Sequence, residues 1–517
     1  MSTPILWSIA GTDSGGGAGL AADQRAADAF GVHLCPVVAA VTAQHSRAVT
    51  QVEPMKPALI DAQLCALASD MRPAAIKTGL LGGADQVRVV ARWVDRLRAD
   101  GPVALVVDPV LAASTGAGFA DTEALHAYRD ELLPRATLVT PNRKEAHRLL
   151  ARRDDVHEPL PQLARELRAL GPRAVCITGG EDPDLHGRVL DWLASPEADG
   201  WIAAPRVATP HTHGTGCTFA SAAAAALALG FVPADAAVLA KMATTHALRH
   251  GHAAGAGAGP VHACVGFATD PTLLPLMSWG EEPCFAPPRP APSRRLGLYA
   301  IVDSAERVAQ VIAAGVRTVQ LRIKTPSPAG AWPGGLRAAL QASIAACRSA
   351  RTELFVNDHW ELARELGAGG VHLGQEDLLG LGESGRRSLM AGGTDVGVSS
   401  HSLWELCRAR SLSPRYIACG PVWPTLTKAM PWRPQGLDNL AWWRQMAGAP
   451  VVAIGGILEA VQVRDAAQCG VDGVCVVRAL GDDPAASVAA LQRAMDDGRI
   501  GPVTAARGLP HPTLQGG

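Results

Sequence analysis

Two glycine-rich turns, one holding a thiol and one a carboxylate, and a later scatter of carboxylates, amides and cations are the features of this 517-residue chain best suited to chemistry. In His213-Gly-Thr-Gly-Cys-Thr-Phe-Ala-Ser221 the glycines lead into an Ala-rich helical stretch. Free N–H groups and the positive end of the helix dipole converge there on Gly214, Thr215, Gly216 and Cys217, a place for phosphate or for charge developing in phosphoryl transfer. A thiol so placed is expected to have a lowered pKa, which makes Cys217 the candidate general base; the other ten cysteines read as small buried residues. The second turn, Gly11-Thr-Asp-Ser-Gly-Gly-Gly-Ala-Gly19, lets backbone approach a ligand closely, although its spacing is not that of a Walker A loop.

In the C-terminal half, polar residues stand where short apolar runs end: Gln320-Leu-Arg-Ile-Lys324, Asn357-Asp358, Gln375-Glu-Asp377, Ser399, Thr425-Leu-Thr-Lys428 and Gly455-Gly456. Arg322, Lys324 and Lys428 offer charge to an anion, whereas Asp358 and Asp377 repel one unless a cation intervenes. Such oxygen ligands suit Mg²⁺.

The elements that must position these residues follow from periodicity. Strand-length runs at Ile5–Ala10, Leu34–Val41, Ala75–Thr78, Leu105–Val107, Thr137–Val139 and Val175–Thr178 alternate with amphipathic stretches such as Ala84–Arg98 and Pro161–Leu170. That rhythm predicts an α/β domain with a largely parallel sheet and its active-site loops at the strand C-terminal ends. Eight further runs, Leu298–Val302, Thr318–Leu321, Leu354–Val356, Gly370–Leu373, Val396–Val398, Tyr416–Ala418, Val451–Ile454 and Gly473–Val477, alternate with helical segments and predict a small (β/α)8 TIM barrel. In a barrel all the polar strand ends meet at one mouth.

Between the halves, Glu281–Arg295 carries Pro283, Pro287, Pro288, Pro290 and Pro292, too dense for helix or sheet. Extended at polyproline rise it would span roughly 40 Å. The expected organisation is therefore a domain over 1–280, a linker over 281–295, a barrel over 296–500 and a flexible tail over 501–517.

A formal net charge of −1 gives no global field for nucleic acid or an anionic membrane, and neither partner is expected. The scattered cysteines, with no Cys-x-x-Cys pair, fit a reducing cytoplasm. The start lacks a basic leader region, and the apolar run Ala220–Val232 is too short to span a bilayer. His246 and His250 stand four apart on a predicted helix, near His211, His213 and His252, but no acidic or cysteine ligand pattern lies beside them. A polar helix end is the expectation, rather than zinc.

Taken together, Gly11–Gly19, Ala40-Val-Thr-Ala-Gln44, Val107-Asp-Pro-Val110, Thr140-Pro-Asn-Arg-Lys-Glu145 and Gly214-Thr-Gly-Cys217 resemble hydroxymethylpyrimidine kinase/phosphomethylpyrimidine kinase, a ribokinase-like enzyme of thiamine synthesis. The resemblance implies that Gln44 pairs with the aminopyrimidine edge and that the loop bearing Gly11 and Asp13 closes over the pyrimidine. It also implies that Asn142 and Glu145 arrange Mg²⁺ beside the ATP phosphates, and that Cys217 accepts the hydroxymethyl proton. The pairing of Gln44 with Gly-Thr-Gly-Cys217 fits this enzyme better than a pyridoxal-type kinase. Two usual lysines are replaced, by Ser114 and by Thr178, with Lys241 or Arg143 as candidate substitutes. A rival reading keeps the first half as a pyrimidine-binding module without kinase activity.

Residues 296–480, with Val371-His-Leu-Gly-Gln-Glu-Asp377 and Pro424-Thr-Leu-Thr-Lys428, resemble thiamine phosphate synthase. That implies hydroxymethylpyrimidine diphosphate on Gln320, Arg322, Lys324, Asn357 and Lys428, and Mg²⁺ on Asp358 and Asp377. The thiazole phosphate would fall to Ser399, Thr425, Thr427, Gly456, Val477 and Arg478. Arg478 replaces a usual serine and is expected to alter phosphate binding, while His372 and His401 are expected to be structural. Small-molecule substrates are the expected partners, and a homodimer through the kinase half is compatible with the resemblance.

Overall fold

The structure is a computed structural model, and it describes residues 3–111, 121–153, 158–180, 185–290, 294–324, 334–425, 431–506 and 508–514. The chain divides into two compact units, with the boundary between Pro283 and Cys284.

The first unit is built on a ten-stranded sheet. Its strands are β1 (Ile5–Gly11), β2 (His33–His45), β3 (Ala48–Pro54), β4 (Ala75–Thr78), β5 (Ala104–Val107), β6 (Leu138–Val139), β7 (Val175–Ile177), β8 (Arg188–Ala194), β9 (Asp199–Pro205) and β10 (Leu276–Met277). They lie in the order β10-β9-β8-β7-β6-β5-β4-β1-β2-β3. Strands β1, β2 and β4 to β7 pair in parallel, whereas β3 and β8 to β10 pair antiparallel at the two sides. Strands β1 and β4 to β7 are buried on both faces and read in the sequence as largely apolar runs, which is why they are legible. The antiparallel flanks were not predicted, because a half-exposed strand such as β3 carries polar residues through its length.

Because β1 lies between β4 and β2, the strand order reverses at β1, and a crevice opens at the C-terminal ends on either side of that point. The Ala-rich helix Thr215–Ala228 runs beneath it with Ala220 and Ala222–Ala226 fully buried. Its small side chains allow close packing against the helix Pro233–Arg249. Among the described residues no helix is long and apolar enough to cross a membrane.

The second unit is a closed barrel of eight parallel strands in chain order. They are β11 (Gly297–Val302), β12 (Thr318–Leu321), β13 (Glu353–Asn357), β14 (Gly370–Leu373), β15 (Asp395–Ser400), β16 (Tyr416–Cys419), β17 (Val451–Ala453) and β18 (Gly473–Val476). All eight predicted runs are strands. Side chains rather than solvent fill the lumen, and the aromatic rings set its composition. A Cβ on Gly370 would lie 2.5 Å from Phe355, and one on Gly397 would lie 2.2 Å from Tyr416. Glycine on β14 and β15 is what gives those rings room.

Residues 281–290 form neither helix nor strand, and each end is bonded within its own unit. The Glu281 carbonyl accepts Trp201 Nε1–H at 2.7 Å on the first unit. On the second, Ala286 N–H donates to Ser411 O at 2.8 Å, Ser413 Oγ donates to Pro287 O at 2.6 Å, and Arg289 pairs with Asp395. The described residues past Ile500, expected as a flexible tail, are bonded to the barrel. Thr504 N–H donates to Gln468 O (2.9 Å), His511 N–H to Asn439 Oδ1 (2.9 Å) and Arg433 N–H to Thr513 O (2.7 Å), and Thr513 is 2 % exposed. Glycine and proline composition suggested disorder; backbone groups finding partners on the barrel decided otherwise.

A chain ending at Ala506 should accordingly lose roughly 1–3 kcal/mol, a fall of several degrees in the barrel's thermal midpoint. Calorimetry that finds the midpoint unchanged would show these bonds to be dispensable.

Candidate active sites

In the first unit the glycine-rich turn after β1 is organised by Asp13. Its carboxylate accepts N–H bonds from Gly15 (2.8 Å), Gly17 (3.0 Å) and Ala18 (2.8 Å), and from His213 Nε2 (2.8 Å). Burial acts to raise the Asp13 pKa, but the bonds from His213, Ala18 and Gly15 outweigh it and hold the group below the usual carboxylate range. Since an ionised carboxylate only accepts, His213 Nε2 must carry a proton. The Gln44 amide end lies 3.2 Å from the same nitrogen, so hydrogen-bond logic turns its oxygen toward His213.

The glycines here make room for protein backbone. A Cβ on Gly214, at φ +84°, would lie 2.2 Å from Gly17 O, and one on Gly19, at φ +54°, 2.2 Å from Gly11 O. The turn after β1 is thus pressed onto the turn that starts the helix Thr215–Ala228. A Cβ on Gly216 would meet nothing within 4 Å, so the space at that helix start is open.

Beneath this surface lies a buried charge cluster. Lys77 Nζ on β4 is 3.0 Å from Asp23 Oδ1 and 3.6 Å from Asp108 Oδ2, and none of the three side chains is more than 6 % exposed. Asp23 also accepts Ser8 Oγ–H (2.6 Å) and Ser221 Oγ–H (2.7 Å). Among the described residues Asp108 Oδ2 is buried without a hydrogen-bond partner, and its carboxyl interacts electrostatically with the nearby Cys217 thiol. Burial raises the Asp108 pKa against the opposing pull of Lys77.

Cys217 departs from expectation. Burial pushes its thiol up to about 12; Lys77 opposes that, while Asp108 and Asp23 add to it. The helix start does supply positive potential, but two carboxylates and desolvation exceed it, because the charge of Lys77 is already shared with Asp23.

Asn142 and Glu145 form a capping box for the helix Arg143–Leu149. Asn142 Oδ1 accepts Glu145 N–H and Glu145 Oε2 accepts Asn142 N–H, both at 2.9 Å. Thr178 bridges to Asn142 in parallel register, so one replaced lysine position adjoins that cap, whereas Ser114 lies outside the described residues. Neither candidate substitute is a spare cation. Lys241 Nζ is 2.7 Å from Asp191 Oδ2, and Arg143 Nη1 donates to Glu158 O at 2.7 Å.

In the barrel, parallel pairing brings the ends of all eight strands to one rim. Gln320 lies buried within β12 while Arg322 and Lys324 follow it, Asn357 ends β13 and Asp358 follows it, Asp377 follows β14, and Ser399 lies on β15. Gly456 follows β17, and Val477 and Arg478 follow β18. Asp358 adopts φ +65°, a left-handed conformation costly for a residue with a Cβ, and its N–H donates to His372 O at 3.2 Å. Asp377 Oδ2 accepts Gly374 N–H at 2.8 Å at the start of the helix Gln375–Gly380. Strands β13 and β14 are neighbours, so the two carboxylates follow adjacent strand ends. Gly456, at φ +71°, packs where a Cβ would lie 2.6 Å from Trp423 O. Thr427 and Lys428 lie outside the described residues, while Thr425 lies within them.

A chain of hydrogen bonds crosses the lumen below the rim. Gln320 Nε2 donates to Tyr299 OH (3.1 Å), which bonds Tyr416 OH (2.8 Å), then His372 Nδ1 (2.8 Å), and His372 Nε2 reaches Ser399 Oγ (3.0 Å). His372 is 6 % exposed. Burial, with Arg322 and His401 adding repulsion, pushes its pKa down to about 4.

Two families match the two units. The phosphomethylpyrimidine kinase family matches residues 13–262, and the thiamine monophosphate synthase family matches residues 298–480. A chloroplastic thiamine biosynthetic bifunctional enzyme of Arabidopsis thaliana is 34% identical over 497 residues, 93% of this chain and 90% of that one. The chain belongs to the bifunctional thiamine biosynthetic enzymes. A hydroxymethylpyrimidine/phosphomethylpyrimidine kinase of Synechococcus elongatus is 44% identical over 262 residues, covering 50% of this chain and 97% of its own length. A thiamine-phosphate synthase of Neisseria meningitidis serogroup B is 44% identical over 214 residues, 41% of this chain and 98% of its own. The fusion thus joins two units that also occur as separate proteins.

Within the kinase unit, the structure brings Gln44 and Asp13 together through His213, for which the sequence supports only a place at a polar helix end. Asp108, Asp23 and Lys77 were missed as well, although Val107-Asp-Pro-Val110 was a visible motif. Within the synthase unit, Tyr299 and Tyr416 carried no signal, because aromatic residues on strands read as core.

The folded barrel keeps His372 neutral, whereas the unfolded chain, with an ordinary pKa near 6.5, takes up a proton below that value. Protons bound only by the unfolded state make stability fall as pH falls from about 6.5 to about 4. His372→Asn should flatten the dependence of the urea midpoint on pH within that window; an unaltered slope would show that other groups set it.

Proposed function

We propose that the first unit phosphorylates hydroxymethylpyrimidine twice with ATP, and that the second couples the resulting diphosphate to thiazole phosphate, releasing pyrophosphate and thiamine phosphate. The observation that carries this reading is that the Asp13–His213–Gln44 cluster and the barrel rim stand in one chain that is related over nearly its whole length to bifunctional enzymes. No disulfide joins any of the eleven cysteines, which is compatible with a reducing compartment.

In the kinase step, Gln44 presents amide groups to the aminopyrimidine edge, held by His213 and Asp13. Cys217 keeps its proton at neutral pH, so it acts as a relay. As the hydroxymethyl oxygen bonds to the γ-phosphorus and the bond to ADP breaks, the O–H proton passes to Sγ and the S–H proton passes to Asp108. Asp108, with a raised pKa beside Lys77, suits that acceptance. Asn142 and Glu145 would hold Mg²⁺ and its waters near the ATP phosphates.

In the barrel, the carboxylates of Asp358 and Asp377 are exposed hard donors at adjacent strand ends and fit Mg²⁺. Bound there, the ion supplies positive charge to the leaving pyrophosphate. Gln320, Arg322, Lys324, Asn357 and Lys428 bind and orient the diphosphate. Its departure leaves a pyrimidinylmethyl cation, stabilised by the ring amino group, which the thiazole nitrogen captures. Ser399, Thr425, Thr427, Gly456, Val477 and Arg478 receive the thiazole phosphate.

Intact protein given hydroxymethylpyrimidine, ATP, Mg²⁺ and thiazole phosphate should yield ADP, pyrophosphate and thiamine phosphate. Coupling of supplied diphosphate without ADP formation from hydroxymethylpyrimidine would leave a synthase with a non-kinase first unit. Cys217→Ala and Asp108→Asn should each slow the first phosphorylation by about 10²–10⁴-fold and the second much less, since a phosphate acceptor is already anionic. Equal losses on both steps would refute the relay. Asp358→Ala and Asp377→Asn should lower coupling by at least about 10²-fold while ADP formation persists. Undiminished coupling in either variant would remove the metal assignment.

A further inference from the structure

We propose that His246, His250 and Cys264 bind a zinc-type divalent cation that clasps the two ends of the loop 251–263. One ligand atom from each of the three residues lies within 4.8 Å of the others. His246 Nδ1 and Cys264 Sγ are 3.7 Å apart. Tetrahedral zinc, with Zn–N near 2.0–2.1 Å and Zn–S near 2.3 Å, requires an N···S edge of about 3.6 Å. The pair therefore already stands at metal-ligand spacing.

The tautomer of His250 also suits the task. Its Nδ1 lies 2.9 Å from His246 O, a bond that places the proton there and leaves Nε2 as a free lone pair. A backbone carbonyl in that position is the usual outer partner of a ligating histidine. His246 and His250 close the last turn of the helix Pro233–Arg249, where the negative end of the dipole favours a cation. The nearby Arg249 is neutralised by Asp270 at 2.9 Å.

Backbone pairing holds the thiol opposite the histidines. His262 N–H donates to Ala247 O at 3.1 Å, which lays residues 261–264 along the helix end. Between the clasped ends, the loop reaches the kinase cleft: Gly257 N–H donates to Ser46 Oγ (3.1 Å), and Gly259 O accepts His213 N–H (3.1 Å). A cation on these ligands would shorten the free loop and so hold His213 against Asp13 and Gln44. The ligands are soft and imidazole-rich, unlike the oxygen donors of the barrel, which separates this site from any Mg²⁺ chemistry.

The test is zinc titration of chelator-stripped, full-length protein against a chromophoric competitor, with Co²⁺ as a spectroscopic substitute. One equivalent should bind with a dissociation constant below about 1 μM. Co²⁺ should give a thiolate charge-transfer band and tetrahedral d–d absorption. Cys264→Ser should abolish the band and weaken zinc binding by about 100-fold, and His250→Ala should weaken it similarly. Zinc should also slow amide exchange across residues 251–263 in the wild type and not in Cys264→Ser. No tight uptake, or uptake unaffected by Cys264→Ser, overturns the site; binding without added loop protection overturns the clasp.

Discussion

Parallel strand pairing is the constraint on which both halves of this chain depend. Parallel neighbours all run the same way, so whatever follows each strand emerges at one edge. In the first unit that edge collects the glycine turn after β1, Thr78 at the end of β4, Asp108 after β5, Asn142 after β6 and Thr178 after β7. In the second it collects Arg322, Asp358, Asp377, Ser399 and Gly456 around a closed ring. Polar groups scattered through the sequence therefore meet without any direct contact having to specify the meeting.

What differs is how each half manages polar groups buried under its site. The kinase unit buries real charge: one lysine between two carboxylates, with Ser8 and Ser221 completing the shell of Asp23. Removing any one partner of such a cluster would leave an uncompensated charge, typically a loss of roughly 3–5 kcal/mol. The cluster also governs the chemistry above it, since the same carboxylates that hold Lys77 raise the Cys217 thiol. The barrel instead buries a neutral chain, Gln320–Tyr299–Tyr416–His372–Ser399, in which each member satisfies the next. That chain orients the Gln320 amide from below through uncharged members.

Much of this was legible beforehand. Most of the parallel strands announce themselves as apolar runs, because both of their faces are covered, and the rim residues are polar interruptions where those runs stop. Strands β3 and β8 to β10 were not legible, since half-exposed antiparallel strands lack that contrast. The bonds that hold residues 501–506 and 508–514 were not legible either, since they depend on carbonyls and amides of Gln435, Asn439 and Gln468 that composition does not register.

By itself the sequence determined the two-part organisation, the strand content of the barrel, and the residue types that reach each rim, because hydrophobic periodicity and glycine spacing are local properties. Tertiary structure alone decided the protonation of Cys217, the linking of Asp13 to Gln44 through His213, and the approach of Cys264 to His246. Electric fields and ligand distances depend on neighbours that lie tens or hundreds of residues away along the chain. A helix start therefore predicts an activated thiol only until two buried carboxylates are found beside it.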